Sequence, residues 1–92
     1  MELEELKLYL RVDGTDDDTL ISGLQLAGEE YLTNAGITKD YTKELYKLAV
    51  RLLVGHWYDN RIAVNVGSIS KNLEYSLSSI ILQLKYTQVE VF

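Results

Sequence analysis

Ninety-two residues, 47% of them apolar, make one domain with a single core, and a chain this short has little stability to spare unless disulfides, a metal or partner subunits add to it. With no cysteine and one histidine, disulfides, thiolate metal sites and cysteine nucleophiles are excluded, which leaves helix packing or association between copies. The formal charge of -5, with nine basic residues scattered in no patch, argues against a protein that grips phosphates.

Leu3, Leu6 and Leu10 recur at helical spacing and predict a short amphipathic helix over 2–12, broken by Asp13-Gly14. Thr15 or Asp16 can cap a second helix, with Asp17 and Asp18 favourably placed against its positive end. Leu20, Ile21, Leu24, Gly28, Tyr31 and Leu32 keep one face of that helix apolar, and Asn34 and Gly36 supply its stop.

A third helix is expected over 41–60 with Asp40 or Thr42 as cap. Leu45, Tyr46, Leu48, Ala49, Val50, Leu52, Leu53, Val54 and Trp57 cover most of its circumference. Only Glu44, Lys47, Arg51, Gly55 and Tyr58 form a stripe suited to water. A helix apolar nearly all round is buried on most sides, so this one is the central post, with part of its surface left for another subunit.

Residues 59–75 fit no helix. Ile62, Val64 and Val66 alternate with Ala63 and Asn65 before Gly67-Ser68, which reads as an extended arm or weak β-hairpin at 61–73. Ser76 can cap a fourth helix to about Tyr86, with Leu77, Ile80, Ile81 and Leu84 on one face. Val89 and Val91 give the tail a strand-like alternation. The expected fold is an all-α bundle of about four helices around a central apolar helix, with that arm and tail, as a single domain over 1–92. No apolar run approaches the roughly 18 residues of a membrane span, and Glu2, Glu4 and Glu5 stand where a signal peptide is basic, so a soluble cytoplasmic product is expected.

The chemical motifs have bland readings. His56 has the titration range for proton transfer, but Leu52 and Leu53 stand one turn before it where an acid would be needed, so it reads as a packed or interface residue. In DGTDDD, counting calcium-loop positions from Asp13 puts Asp18 at the required glycine and Leu24 at the bidentate glutamate, so these acids read as helix caps. Neither phosphate-binding glycine motif occurs; Gly28 and Gly55 lie within helices and suit close helix approach. In GHWYDNR, residues 55–61, Trp57 bridges the core, Tyr58 buries its ring and wets its hydroxyl, and Arg61 suits the last carbonyls of the helix or a fork with Asp16 to Asp18. This reads as a structural joint. No catalytic residue, metal or cofactor is expected.

Three segments together carry a resemblance. LKLYLRVDGTDDDTLI (Leu6 to Ile21), the helix ending in Glu29-Glu30-Tyr31-Leu32, and LAVRLLVGHWYDNR (Leu48 to Arg61) resemble the head-tail connector family, the small head-completion or adaptor proteins of long-tailed phages and prophages. Where many relatives carry a Pro-Gly-type start and a terminal arginine around the last helix, this chain has Glu74-Tyr75-Ser76 and Lys85-Tyr86. The family's tyrosine-acid-asparagine-arginine corner falls on Tyr58, Asp59, Asn60 and Arg61. The resemblance implies a non-enzymatic helical subunit in the virion, made in the host cytoplasm. It assembles as a homo-oligomeric ring under the portal protein, extends the channel for DNA that passes without specific binding, and presents a surface to a tail or stopper protein.

On that reading Trp57, Tyr58, Asp59, Arg61, Ile62, Val64 and Val66, with Val89, Val91 and Phe92 of the tail, contact neighbours, the tail by adding a strand to an exposed edge. Two other classes compete. One is a small monomeric helical adaptor that binds a regulatory partner through the arm; the other is a hydrolase or metal enzyme built on His56 and Asp59, which lacks a further ligand or nucleophile.

Overall fold

The computed structural model describes residues 3–59 and 71–88, of which Lys71 and Gln88 are described in backbone only. Four helices follow one another: α1 (Leu3–Leu10), α2 (Asp18–Asn34), α3 (Glu44–Asp59) and α4 (Lys71–Gln88). No strand occurs among the described residues. The all-α bundle expected from periodicity is the fold.

The centre is α3. Tyr46, Ala49, Val50, Leu53, Val54 and Trp57 are buried, and they recur at the three- and four-residue steps that line one broad helix face. α2 lies along α3 through Ile21, Leu24, Gly28 and Leu32; α4 packs on α3 through Leu77, Ile80 and Leu84; α1 fits against α2 and α3 through Leu6. Leu45, Leu48 and Leu52 are only half buried and pack at the edge of this core. Each fully buried leucine is worth roughly 1.5–3 kcal/mol of transfer free energy, so the α3 seam dominates stability.

Two helix ends have the same geometry and different residues. At the end of α2, the Ile37 amide donates to the Leu32 carbonyl at 2.9 Å and the Gly36 amide to Thr33 at 3.0 Å, with Gly36 at φ 94°. This is a Schellman motif. It needs a left-handed residue, supplied by the glycine, and it seals with buried Ile37 and Leu32. The stop expected at Asn34 and Gly36 is therefore where it was placed. At the end of α1, Val12 donates to Lys7 at 2.9 Å and Arg11 to Leu8 at 3.2 Å, the same pattern, but the left-handed position holds Arg11 at φ 62°. The helix expected to run to 12 and break at Asp13-Gly14 thus stops at Leu10, because Arg11 reverses the chain two residues early.

The three expected caps need correction. Asp16 lies in the turn before α2, outside the capping position. Asp17 occupies the N-cap but its carboxylate makes no capping hydrogen bond. Ser76, expected to open the fourth helix, is an exposed residue inside α4, which begins at Lys71. The helix starts early because Leu73 continues the core spacing of Leu77, Ile80 and Leu84 and packs on the cluster. Of the arm expected over 61–73, positions 71–73 are therefore helix and the rest lie outside the described residues. So do Val89, Val91 and Phe92, while Thr87 and Gln88 at the head of the expected strand-like tail are helical.

The start of α3 also shifts, from 41 to Glu44. The Asp40 carboxylate accepts from the Thr42 amide at 3.0 Å and the Thr42 hydroxyl at 2.5 Å, forming a turn of its own before the helix begins. Those two hydrogen bonds, the side-chain one foremost, hold the Asp40 carboxyl below its ordinary range.

Candidate functional site: the joint at the end of helix α3

The C-terminal turns of α3 meet the start of α2 and the end of α1. Tyr58 donates its hydroxyl to Asp17 at 2.5 Å, tying the last turn of α3 to the first of α2. Next to it, Lys7 Nζ lies 2.8 Å from Asp18 Oδ1, with the lysine side chain only 9% exposed. Hydrogen bonding to Asp18 raises the Lys7 ammonium above its ordinary value, against the opposing effect of burial. Asp17 and Asp18, read in sequence as caps, are thus claimed by side chains from α3 and α1. They still stand at the positive end of α2, where negative charge is favoured.

Trp57 is 2% exposed and meets Tyr31 of α2 edge-on, ring centres 6.3 Å apart and planes at 71°. It is a core residue that supports the joint from within and presents no surface to a neighbour, which corrects its place among the expected contact residues. Tyr58 is half buried and Asp59 exposed. Arg61, Ile62, Val64 and Val66 lie outside the described residues, and with them the expected fork between Arg61 and the Asp16 to Asp18 cluster.

A cleft of about 360 Å³ opens between the ends of α1 and α3 and the start of α4. Its walls include Tyr9, Arg11, Leu52, His56, Asp59 and Leu73, and Gly55 forms part of the floor. A Cβ on Gly55 would stand 3.3 Å from Tyr9 Cε2, so the missing side chain lets the Tyr9 ring lie on α3, as close helix approach required. At Gly28 the nearest atom to such a Cβ is Leu53 Cβ at 3.7 Å, ordinary contact, so that glycine leaves room for a methyl group. Among the described residues no three of His, Asp and Glu converge as a metal site; in particular the acids of DGTDDD do not.

One polar cluster had no sequence signal beyond its residue types. Tyr41, in the loop before α3, donates its hydroxyl to Glu29 Oε2 of α2; Gln25 donates to the Tyr41 hydroxyl at 3.2 Å, and Lys39 Nζ lies 3.4 Å from Glu29 Oε1. The Tyr41 ring stacks edge-on against Tyr46 with centres 5.0 Å apart. This clamp fixes the α2–α3 loop on α2. Its members are 12 and 16 positions apart in sequence, so no local pattern announces it.

The geometry defines a class first: a small all-α protein whose polar groups lock its own helices together and which gathers no group of three metal-ligating side chains among the described residues. The family model for phage gp6-like head-tail connector proteins matches residues 1–85, and the chain belongs to that family. Its role is that of a structural connector at the head-tail junction of the virion. No curated protein and no solved structure matches the chain. No helix among the described residues is long and apolar enough to cross a membrane.

Proposed function

We propose that this chain is a single-domain, non-enzymatic subunit that assembles with copies of itself as a ring beneath the portal protein. There it extends the DNA channel and offers a docking surface to a tail or stopper protein. The observation that carries this reading is the family match over residues 1–85. Support comes from the surface, where large apolar side chains on α1, α2 and α4 stand in water. A net charge of -5 suits a conduit through which DNA passes without being held. No cofactor enters this function.

Tyr58 and Asp59 at the joint, Arg61, Ile62, Val64 and Val66 after it, and Val89, Val91 and Phe92 of the tail are the contacts this reading assigns to neighbouring subunits or the portal. Deleting the gene from its phage or prophage tests it. DNA-filled heads and unattached tails should accumulate in electron micrographs, and supplying the chain in trans should restore virions. Normal virions without the chain would overturn the reading. Supplying a chain truncated after Gln88 separates the tail's role, since it leaves α4 and the 3.0 Å contact from Lys43 Nζ to Thr87 Oγ1 in place.

A further inference from the structure

α4 carries two seams. Leu73, Leu77, Leu84 and Ile80 between them are spaced four, three and four residues apart and face the core. Tyr75, Ser79, Leu82 and Tyr86 have the same spacing displaced by two residues, which is about 200° round a helix and so points directly away from the core. Tyr75 is 70% exposed, Leu82 68% and Tyr86 82%.

The residues along one side of this outer seam, Asn72, Ser76 and Gln83, are exposed and uncharged. Among the described side chains of α4 the exposed charges are Glu74 and Lys85, three turns apart and about 100° round the helix from the seam on its other side. A solvated helix face ordinarily carries charge; charge depletion with tyrosine enrichment is the composition of a buried interface centre. Tyr75, Leu82 and Tyr86 together remove on the order of 400 Å² from water when covered, about half of what one partner contributes to a stable interface.

A second apolar surface lies on α1. Leu8 is 81% exposed and Tyr9 46%. Together with Glu5 and Arg51 they line a concavity of about 300 Å³, with the Arg51 guanidinium 6.0 Å from the Tyr9 ring centre. It has the size for one side chain and the chemistry for a tyrosine: apolar walls for the ring and a carboxylate to accept its hydroxyl proton. Glu5 and Arg51 cancel in charge, and Tyr75, Ser79, Leu82 and Tyr86 carry none. In a chain of net charge -5, these two faces can meet without repulsion between like charges.

We propose that the outer face of α4 packs against the outer face of α1 in a second copy of this chain, a tyrosine of the α4 seam seating in the Glu5, Leu8, Tyr9 and Arg51 concavity. The two faces are unlike and sit on different helices, so the contact is head-to-tail, and repetition round a closing rotation gives a ring. Symmetric pairing of α4 with α4 would leave Leu8 in water. The inference rests on the ring reading above and supplies its subunit contact.

Sedimentation of the full chain with Leu8→Asp and Leu82→Asp tests it, circular dichroism verifying the fold; Tyr86→Asp replaces Leu82→Asp if that variant unfolds. The wild-type chain should self-associate, and each variant should raise the dissociation constant at least about thirtyfold and sediment as monomer. An equimolar mixture of the two variants should give a 1:1 heterodimer and nothing larger, because one intact face remains on each. A wild-type chain monomeric to about 1 mM, or association unchanged in either variant, overturns the proposal. Loss in Leu82→Asp alone means α4 pairs with itself and overturns it too. These outcomes are distinct from failure of the connector reading, which is decided by whether heads and tails join without the chain.

Discussion

Arg11 is the non-glycine residue with positive φ among the described residues, at 62°, and it occupies the position that Gly36 fills at the end of α2. A side chain there brings Cβ against the following carbonyl, a cost of about 1–2 kcal/mol that glycine avoids. Arg11→Gly keeps both hydrogen bonds of the motif and relieves this strain. Allowing for the greater freedom of glycine in the unfolded chain, the variant should be about 0.5–1 kcal/mol more stable in urea unfolding. A loss of stability would mean that the guanidinium, which borders the cleft with His56 and Asp59, makes a contact worth more than the strain.

Between helices, two polar contacts hold the start of α2: Lys7 with Asp18 from α1, and Tyr58 with Asp17 from α3. Tyr58→Phe keeps the ring and removes only the hydroxyl, leaving a half-buried carboxylate short of one donor. The loss should be about 1–2 kcal/mol, the range for a hydrogen bond to a charged group with some exposure. Asp17→Asn combined with Tyr58→Phe should cost less than the sum of the two singles, a coupling that a double-mutant cycle measures directly. Additive effects would show that the contact contributes nothing of its own.

The fold as a whole carries an alkaline liability. Tyr46 is fully buried, its hydroxyl has no hydrogen-bond partner among the described residues, and burial first, then the Glu29 carboxylate, push its pKa up to about 12. Tyr41 is raised as well, by burial and by its hydrogen bond to Glu29. For a group raised on folding, the native state holds its proton after the unfolded chain, near its ordinary 10.0, has begun to lose it. Stability is therefore full below pH 10 and falls as the pH climbs towards about 12. Tyr46→Phe should make that decline shallower in unfolding curves recorded across this window. At neutral pH it should leave stability unchanged or raise it by up to about 1 kcal/mol, since a desolvated hydroxyl is removed.

The helix count, α3 as the buried post and the stop of α2 at Gly36 were legible in the sequence, because a helical period and a left-handed glycine are properties of neighbouring residues. The connector family was legible for a related reason: its segments keep their order along most of the chain. The acids before α2 illustrate the other case. Asp17 and Asp18 have the composition of caps, and a cap is worth only about 1 kcal/mol. Tyr58 and Lys7, brought in from α3 and α1, offer competing hydrogen-bond and ion-pair partners for the same carboxylates. Likewise Glu29 meets Tyr41 across 12 positions, and Leu73 draws α4 five residues ahead of Ser76 because it can reach the core. Periodicity lays out the faces each helix possesses. Packing around α3 chooses which face is buried, because burial energy adds over a whole seam whereas a cap or turn acts at one residue, and by that choice it leaves Tyr75, Leu82 and Tyr86 in water.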